Sequence, residues 1–473
     1  MSEHGKDRAA TRVARAAHAL CQASTALWIA VVVAACGGGA QPGTPDATPL
    51  EVSVAGQAVI KVRAGPDAVA LLEEKLVSLS QSGPERRLTL LDGSGAVRGR
   101  YVAPPGRALI DFAQHPSGEI SVVLATATTV TLARLDRSVA AISEFELLDP
   151  QAPSDPFYDH GGVHDDTSML PIFTRDAVRV VAVGEGVVVA LRTGRNAVVA
   201  YRLAYDSAAG YSHTWRTLVE PGLSMFGLGI TSGSFDVFGQ LENHFHVHLD
   251  ADELGRVAVA VVGNPGLAPV FAAHADYFNQ PTSITSGVLV SRLAPDGQRL
   301  GTTLIDTTQT SELHGLRLNG DDIAVVGRVL SQRLDDGTGW NAYTGHVGAT
   351  SGALLHYGTV DVDRGEVLFD IVPLGQGRHL VAGTAGYVQN PTGASISEQA
   401  TPLLAVLGSD GTLQQRIEVA SGARQNQLRS IVAQGGRWLV GGLVNGPGTH
   451  SGDGDPALIT ADGFVHEIAI AAP

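Results

Sequence analysis

PLLAVLGSDGTLQQRIEVAS, residues 402–421, decides the fold. A short apolar strand, Leu403 to Leu407, runs into a Ser-Asp-Gly turn at 409–411. The chain leaves as a second strand whose apolar members are Leu413, Ile417 and Val419. Asp-Gly between two alternating runs is a strong hairpin signal, because glycine takes the positive φ that the turn demands.

Aligning the chain on the turn that follows the apolar strand gives seven units, at 86–103, 129–148, 197–219, 287–305, 352–371, 402–420 and 456–471. Asp-Gly recurs at 92–93, 296–297, 410–411 and 462–463. Elsewhere the turn is Asp136-Arg137, Asp206-Ser207 or Asp363-Arg364-Gly365. Between the hairpins lies a second apolar strand that often ends in glycine, as in GDDIAVVGR (320–328) and QGGRWLVGGL (434–443). One more short strand precedes most of these, such as ALIDFA (108–113), DAVRVVAV (176–183), HFHVHLD (244–250) and HGLRL (314–318). Four strands in about 45 to 65 residues is the size of one propeller blade. Period two dominates from Leu50 onward, and only Asp67 to Leu79, free of Gly and Pro, competes as a helix. The expected fold is all-β: a single β-propeller of seven four-stranded blades, six or eight also fitting the repeat lengths. Leu50 to Ala55 either completes the last blade or extends the first.

These units resemble bacterial β-propeller repeats of the SBBP and related lipoprotein types: apolar strand, Lys/Arg-Leu-x-x-Asp-Gly, strand, inner strand, then Gly-Asn-x-apolar-Gly. The resemblance covers most of residues 50–473 and implies the fold without implying an activity. Four regions depart from the repeat and are expected as insertions, near 149–175, 221–243, 270–286 and 332–351. Long loops in a compact domain are usually functional or disordered, so recognition is expected there.

The first residues read as a secretory signal. Lys6, Arg8, Arg12 and Arg15 form a basic region, and Leu27 to Val33 an apolar one too short for a stable membrane span. Small residues then precede Cys36 in Val33-Ala34-Ala35-Cys36. This ending resembles the lipobox of bacterial lipoproteins, and the following CGGGAQPGTPDATP resembles their tether. The resemblance implies a signal over 1–35, a diacylated Cys36 as first mature residue, a tether over 36–49 and the propeller over 50–473. Gly37 after the cysteine implies the outer rather than the inner membrane.

Composition narrows the partners. The net charge is −15, the charged fraction 17%, and no Lys/Arg cluster follows the signal, which argues against nucleic acid. The other cysteine, Cys21, lies within the signal, so stability must come from burial rather than from a disulfide. The expected partners are the membrane, through the lipid, and envelope proteins, with the chain a monomer.

Chemistry-bearing residues form two groups. His244, His246 and His248 alternate along one strand, so their side chains share a face, a good start for a zinc site. Simple repeat counting places His314 of the next unit on the opposite face. Asp159, His160 and His164, in the first insertion with Tyr158, have the density to bind a divalent ion, oxygen ligands favouring Ca²⁺. Acidic turns such as Asp321-Asp322 are most simply blade turns. Trp340, in DDGTGWNAY, is the aromatic expected as a loop contact, with Tyr158 beside the acidic insertion. No G-x-S-x-G elbow, P-loop or Rossmann fingerprint occurs. The function expected is a non-enzymatic binding or scaffolding lipoprotein; the alternative is a metal-dependent hydrolase or lyase using His244, His246 and His248.

Overall fold

Short runs of β-branched and aliphatic residues, punctuated by Asp and Gly, fold into strands, and among the described residues no helix occurs. A computed structural model of the chain describes residues 49–75, 85–126, 129–147, 178–192, 198–220, 247–263, 287–307, 311–330, 340–362, 365–386, 400–419, 425–434, 436–446 and 461–470. The described strands form seven four-stranded antiparallel sheets, the blades of one propeller.

The first strand, β1 (Glu51–Val54), precedes blade 1, which is β2 (Ala58–Ala64), β3 (Ala68–Lys75), β4 (Glu85–Asp92) and β5 (Val97–Val102). Blade 2 is β6 (Ala108–Gln114), β7 (Ile120–Ala125), β8 (Val130–Leu135) and β9 (Ala141–Glu146). Blade 3 is β10 (Val178–Val183), β11 (Gly186–Arg192), β12 (Val198–Asp206) and β13 (Gly210–Glu220). Blade 4 is β14 (Val247–Ala251), β15 (Val257–Gly263), β16 (Gly287–Leu293) and β17 (Arg299–Asp306). Blade 5 is β18 (Ser311–Asn319), β19 (Asp322–Leu330), β20 (Trp340–Gly348) and β21 (Leu354–Val360). Blade 6 is β22 (Val367–Gly375), β23 (Arg378–Ala385), β24 (Thr401–Leu407) and β25 (Leu413–Ile417). Blade 7 is β26 (Gln425–Gln434), β27 (Arg437–Gly446) and β28 (Asp462–Ile468), and its fourth strand is β1.

β1 therefore completes the last blade, pairing Glu51 to Val54 with His466 to Gly463. The ring closes by joining the start of the domain to its end. Each junction between blades holds its own apolar cluster. Val59, Val62, Leu439 and Val465 fill the closing one, while Val188, Val247, Val259 and Leu289 fill that between blades 3 and 4. Strands in the middle of a blade are covered on both sides, as β7 and β8 show, whereas the outermost strands β5 and β9 alternate with solvent.

Three readings of the sequence change. Residues 68–75 form β3 rather than a helix. Asp462-Gly463 lies inside β28 and turns nothing, because the strand it pairs with arrives from the other end of the chain. The turn of blade 5 falls at 349–352, with Gly352 at φ +71°, while 361–366 joins blades 5 and 6. Residues 340–348 of the expected fourth insertion are β20. The other three expected insertions lie outside the described residues.

In the third-to-fourth hairpins of blades 1 to 6, one residue takes the positive φ, and it is glycine in all but blade 2, where it is Val139 at +62°. The turn aspartate supplies the other half of the geometry. Asp410 accepts from the Thr412 amide (3.1 Å) and hydroxyl (2.6 Å), and Asp136 accepts from the Ser138 amide at 2.7 Å.

The antiparallel order also sorts the connections by face. First strands of every blade run the same way, so the links from first to second and from third to fourth strands share one face. None of these exceeds five residues. All longer links, including 147–177, 221–246, 264–286, 386–400 and 447–461, leave and rejoin the described strands at the opposite face. The chain enters β1 on the tight-turn face.

Candidate functional site

The first strand of each blade has a sheet partner on only one side, so its other edge offers amides and carbonyls that need partners. In five of these strands a register shift supplies a side chain to the channel they surround. The shifts fall at Val59/Lys61, Leu109/Asp111, Leu313/Gly315, Leu368/Asp370 and Leu428/Ser430. The inserted residues, Ile60, Ile110, His314, Phe369 and Arg429, all line the central cavity of about 280 Å³. In blades 5 to 7 a glycine stands opposite the shift. A Cβ on Gly327, Gly383 or Gly442 would lie 1.9 Å from the carbonyl oxygen of Glu312, Val367 or Gln427. That contact explains the glycine that closes the second strand of these repeats.

Polar side chains from one blade satisfy the free edge of the next. Asp111 accepts from the Val180 amide (3.0 Å), Asp250 from Leu318 (2.8 Å), Asp370 from Ile431 (2.9 Å), and the Ser430 hydroxyl from Val62 (3.0 Å). Ion pairs run beside them. Lys61 Nζ lies 2.6 Å from Asp111 Oδ1, Arg317 Nη2 is 3.2 Å from both oxygens of Asp370, and Arg86 Nε is 2.7 Å from Glu74.

Burial sets the electrostatics here. It pushes Lys61 down to about 7, with Asp111 only partly restoring it, and Arg63 down to about 10, with Arg317 adding repulsion. Burial raises Asp250. Asp111 is buried too, but Lys61 and Arg179 more than offset this and hold it below the usual carboxylate range. The result is a polar, charged bore through an acidic protein.

A second cluster lies on the tight-turn face between blades 5 and 6. A tight turn delivers Asp322 to the start of β19. The register of β19 with β20 sets His346 opposite Ala324, one turn of the pleat away, and β23 of the neighbouring blade contributes His379. His346 Nδ1 is 3.0 Å and His379 Nε2 3.1 Å from Asp322 Oδ2. Both imidazoles are buried, the aspartate partly so. Burial opposes ionisation of Asp322, but the two imidazole N–H donors outweigh it and hold the carboxyl far below its ordinary value. One ligand atom from each residue lies within 4.8 Å of the others, so the group can hold a metal ion.

Of the sequence-derived site residues, His248 lines the channel from β14. His314 lines it too, because the register shift in β18 overturns simple counting. Trp340 is not a loop contact. It is buried at 4% exposure in β20, with the Arg328 guanidinium 4.2 Å from its ring centre. Cys36, Tyr158, Asp159, His160, His164, His244 and His246 lie outside the described residues. Sequence reading missed Lys61, Arg63 and Arg317, although AVIKVRA and HGLRL place cations on first strands. It also missed His346 and His379. Aligning the third-strand end HVG with the second-strand start RHL in the next blade brings those two to one face.

No protein-family model matches the sequence, and no curated protein matches it. Among solved structures the chain is similar to the WD40 β-propeller domain of Doa1, at 10% identity over 89% of this chain and 95% of that one, TM-score 0.43. It is similar to the RRP9 WD40 repeats at 10% identity over 88% and 97%, TM-score 0.44. It is likewise similar to polysaccharide lyase Uly1, at 10% identity over 89% and 98%, TM-score 0.47. At such identity the likeness is one of fold, and fold carries no activity across.

Proposed function

We propose that this propeller is a non-enzymatic binding module of the cell envelope, held at the outer membrane by a lipid on Cys36. The observation that supports it is the sorting of connections by face. Tight turns and the start of β1 share one side, and every link longer than five residues joins strands on the other. The described chain enters β1 on the plain face, so the long connections of the other face are the part proposed to meet envelope proteins. Rigid scaffolds that present long loops from one side are a common design for recognition. Cys36→Ser tests the anchor: the full chain should sediment with membranes, and the variant should appear in the soluble fraction with an unchanged melting temperature. A variant that still sediments removes the lipid from this reading.

A metal-dependent enzyme is the second reading, and the Asp322, His346 and His379 geometry is what favours it. Two imidazole nitrogens and one carboxylate oxygen suit zinc rather than calcium, and three protein ligands leave a fourth position for water. Elemental analysis of residues 49–473, purified without a histidine tag, distinguishes the sites. Zinc lost in His379→Ala alone belongs to the Asp322 cluster, and zinc lost in His248→Ala alone belongs to the channel. A wild-type protein without zinc leaves Asp322 as a hydrogen-bond acceptor for two histidines.

A further inference from the structure

Of the 32 lysines and arginines in the chain only three are lysines, Lys6, Lys61 and Lys75. Arginine takes the other cationic positions around the central cavity, Arg63, Arg86 and Arg317 among them, and Lys61 of β2 is the exception. A purely structural ion pair is better served by arginine, whose guanidinium keeps its proton and forks onto a carboxylate. Lysine offers instead an amine that can lose its proton and attack carbon.

The surroundings of Nζ fit that chemistry. It donates to Asp111 Oδ1 at 2.6 Å and to the Phe112 carbonyl at 2.8 Å, and among the described residues no third acceptor meets it. Two N–H bonds are all that a neutral amine has, so the remaining tetrahedral position holds its lone pair. Burial is the main cause that pushes Lys61 down to about 7, with Asp111 opposing it and Arg63 and Arg179 adding to it. At neutral pH the free amine is therefore abundant, whereas an ordinary lysine is free in fewer than about one molecule in a thousand. The side chain is 15% exposed and lines a cavity of about 280 Å³ whose apolar wall is Ile60, Ile110, Leu316 and Phe369. Lys61, Arg63, Arg86 and Arg317 are matched by Glu74, Asp111, Asp250 and Asp370, so the site calls for no charged ligand.

We propose that Lys61 captures a small uncharged aldehyde or ketone in the central channel as an imine, with Asp111 as the proton carrier. The Nζ lone pair attacks the carbonyl carbon and forms the C–N bond, and the carbon–oxygen bond then breaks. Of the three ammonium protons, two end on the former carbonyl oxygen, carried by Asp111 Oδ1, and it leaves as water. The third stays on the imine nitrogen. Ammonium and carbonyl compound thus give a protonated imine and one water, with no oxidant or reductant required. Asp111 faces a cation before and after, so the buried pair is kept. The proposal is independent of the lipid anchor and of the Asp322 cluster.

Reductive trapping of residues 49–473 with butanal and sodium cyanoborohydride at neutral pH, the modified amines located by peptide mass, tests it. That unit contains every described strand and closes its own ring. Lys75, 49% exposed and 3.4 Å from Glu85, and the terminal amine are controls within the same molecule. Lys61 should be labelled about tenfold faster than Lys75 or more, following its larger share of free amine. Its rate should saturate as butanal rises, the mark of binding before reaction. Without reductant, butanal should raise the melting temperature of the wild type. Lys61→Arg, which keeps a cation beside Asp111, should abolish that shift. Labelling of Lys61 no faster than that of Lys75, while the terminal amine reacts, overturns the proposal; this result needs no variant to fold. A rate that stays linear in butanal overturns it too, as does an equal melting shift in wild type and Lys61→Arg.

Discussion

His115 is 1% exposed, and its two nitrogens are fixed by different partners. Nδ1–H donates to the Gly184 carbonyl at 3.0 Å, which leaves Nε2 to accept from the Ser121 hydroxyl, itself bonded to Tyr211. Burial first, and Arg134 second, push this imidazole down to about 4 from its ordinary 6.5. Between those values the unfolded chain binds a proton that the folded one refuses, so stability rises with pH across the window and is lost as pH falls. The contribution is about 3 kcal/mol at pH 4 relative to pH 7. Denaturant melts from pH 7 to pH 4 should show that loss, and His115→Gln should flatten it; an unchanged slope would mean that His115 titrates normally. Gly411 shows a different constraint at the same scale. Its φ is +72°, and an added Cβ would lie 2.5 Å from His356 Nε2. Val139 occupies the equivalent turn position of blade 2 with its side chain buried at 7% exposure, so a side chain is tolerated where space and burial offset the backbone strain.

At the scale of strands, Glu312 links three of them in blade 5. Arg328 Nε and Nη2 reach its two oxygens at 2.6 and 2.7 Å from β19, and the guanidinium covers Trp340 of β20. Burial opposes the charge on Glu312, but Arg328 outweighs it and holds the carboxylate far below its usual range. Glu312→Ala removes the bidentate carboxylate partner of a buried guanidinium and should destabilise by about 3–5 kcal/mol in denaturant melts. The double variant Glu312→Ala, Arg328→Met should recover much of this, and no recovery would contradict the pairing. Other blades show where sequence reading stopped. Asp296-Gly297 and Asp410-Gly411 were legible as turns because the next strand follows at once. Asp462-Gly463 reads as a turn in the same way and is none, since β28 pairs with a strand some four hundred residues earlier, and local pattern carries no such information. β3 resembled a helix because both its faces are covered, which removes the alternation that marks a strand. The channel residues were hidden by the one-residue shifts in the first strands, which period-two counting cannot anticipate. The Asp322 cluster was hidden by its division between two blades.

Across the whole molecule, stability depends on a ring in which each blade packs only against its neighbours, so the junction made by β1 matters as much as any other. Leu50 and Val54 are buried there, and the Leu50 amide and carbonyl both bond to Glu467. The described chain therefore enters the ring-closing strand on the face opposite the long connections. The most direct measurement is the mass of the N-terminal peptide of the protein extracted from membranes. A diacylated Cys36 as first residue is the predicted result. A peptide that continues unmodified from the residues before Cys36 through 37–48 would contradict the anchored binding propeller.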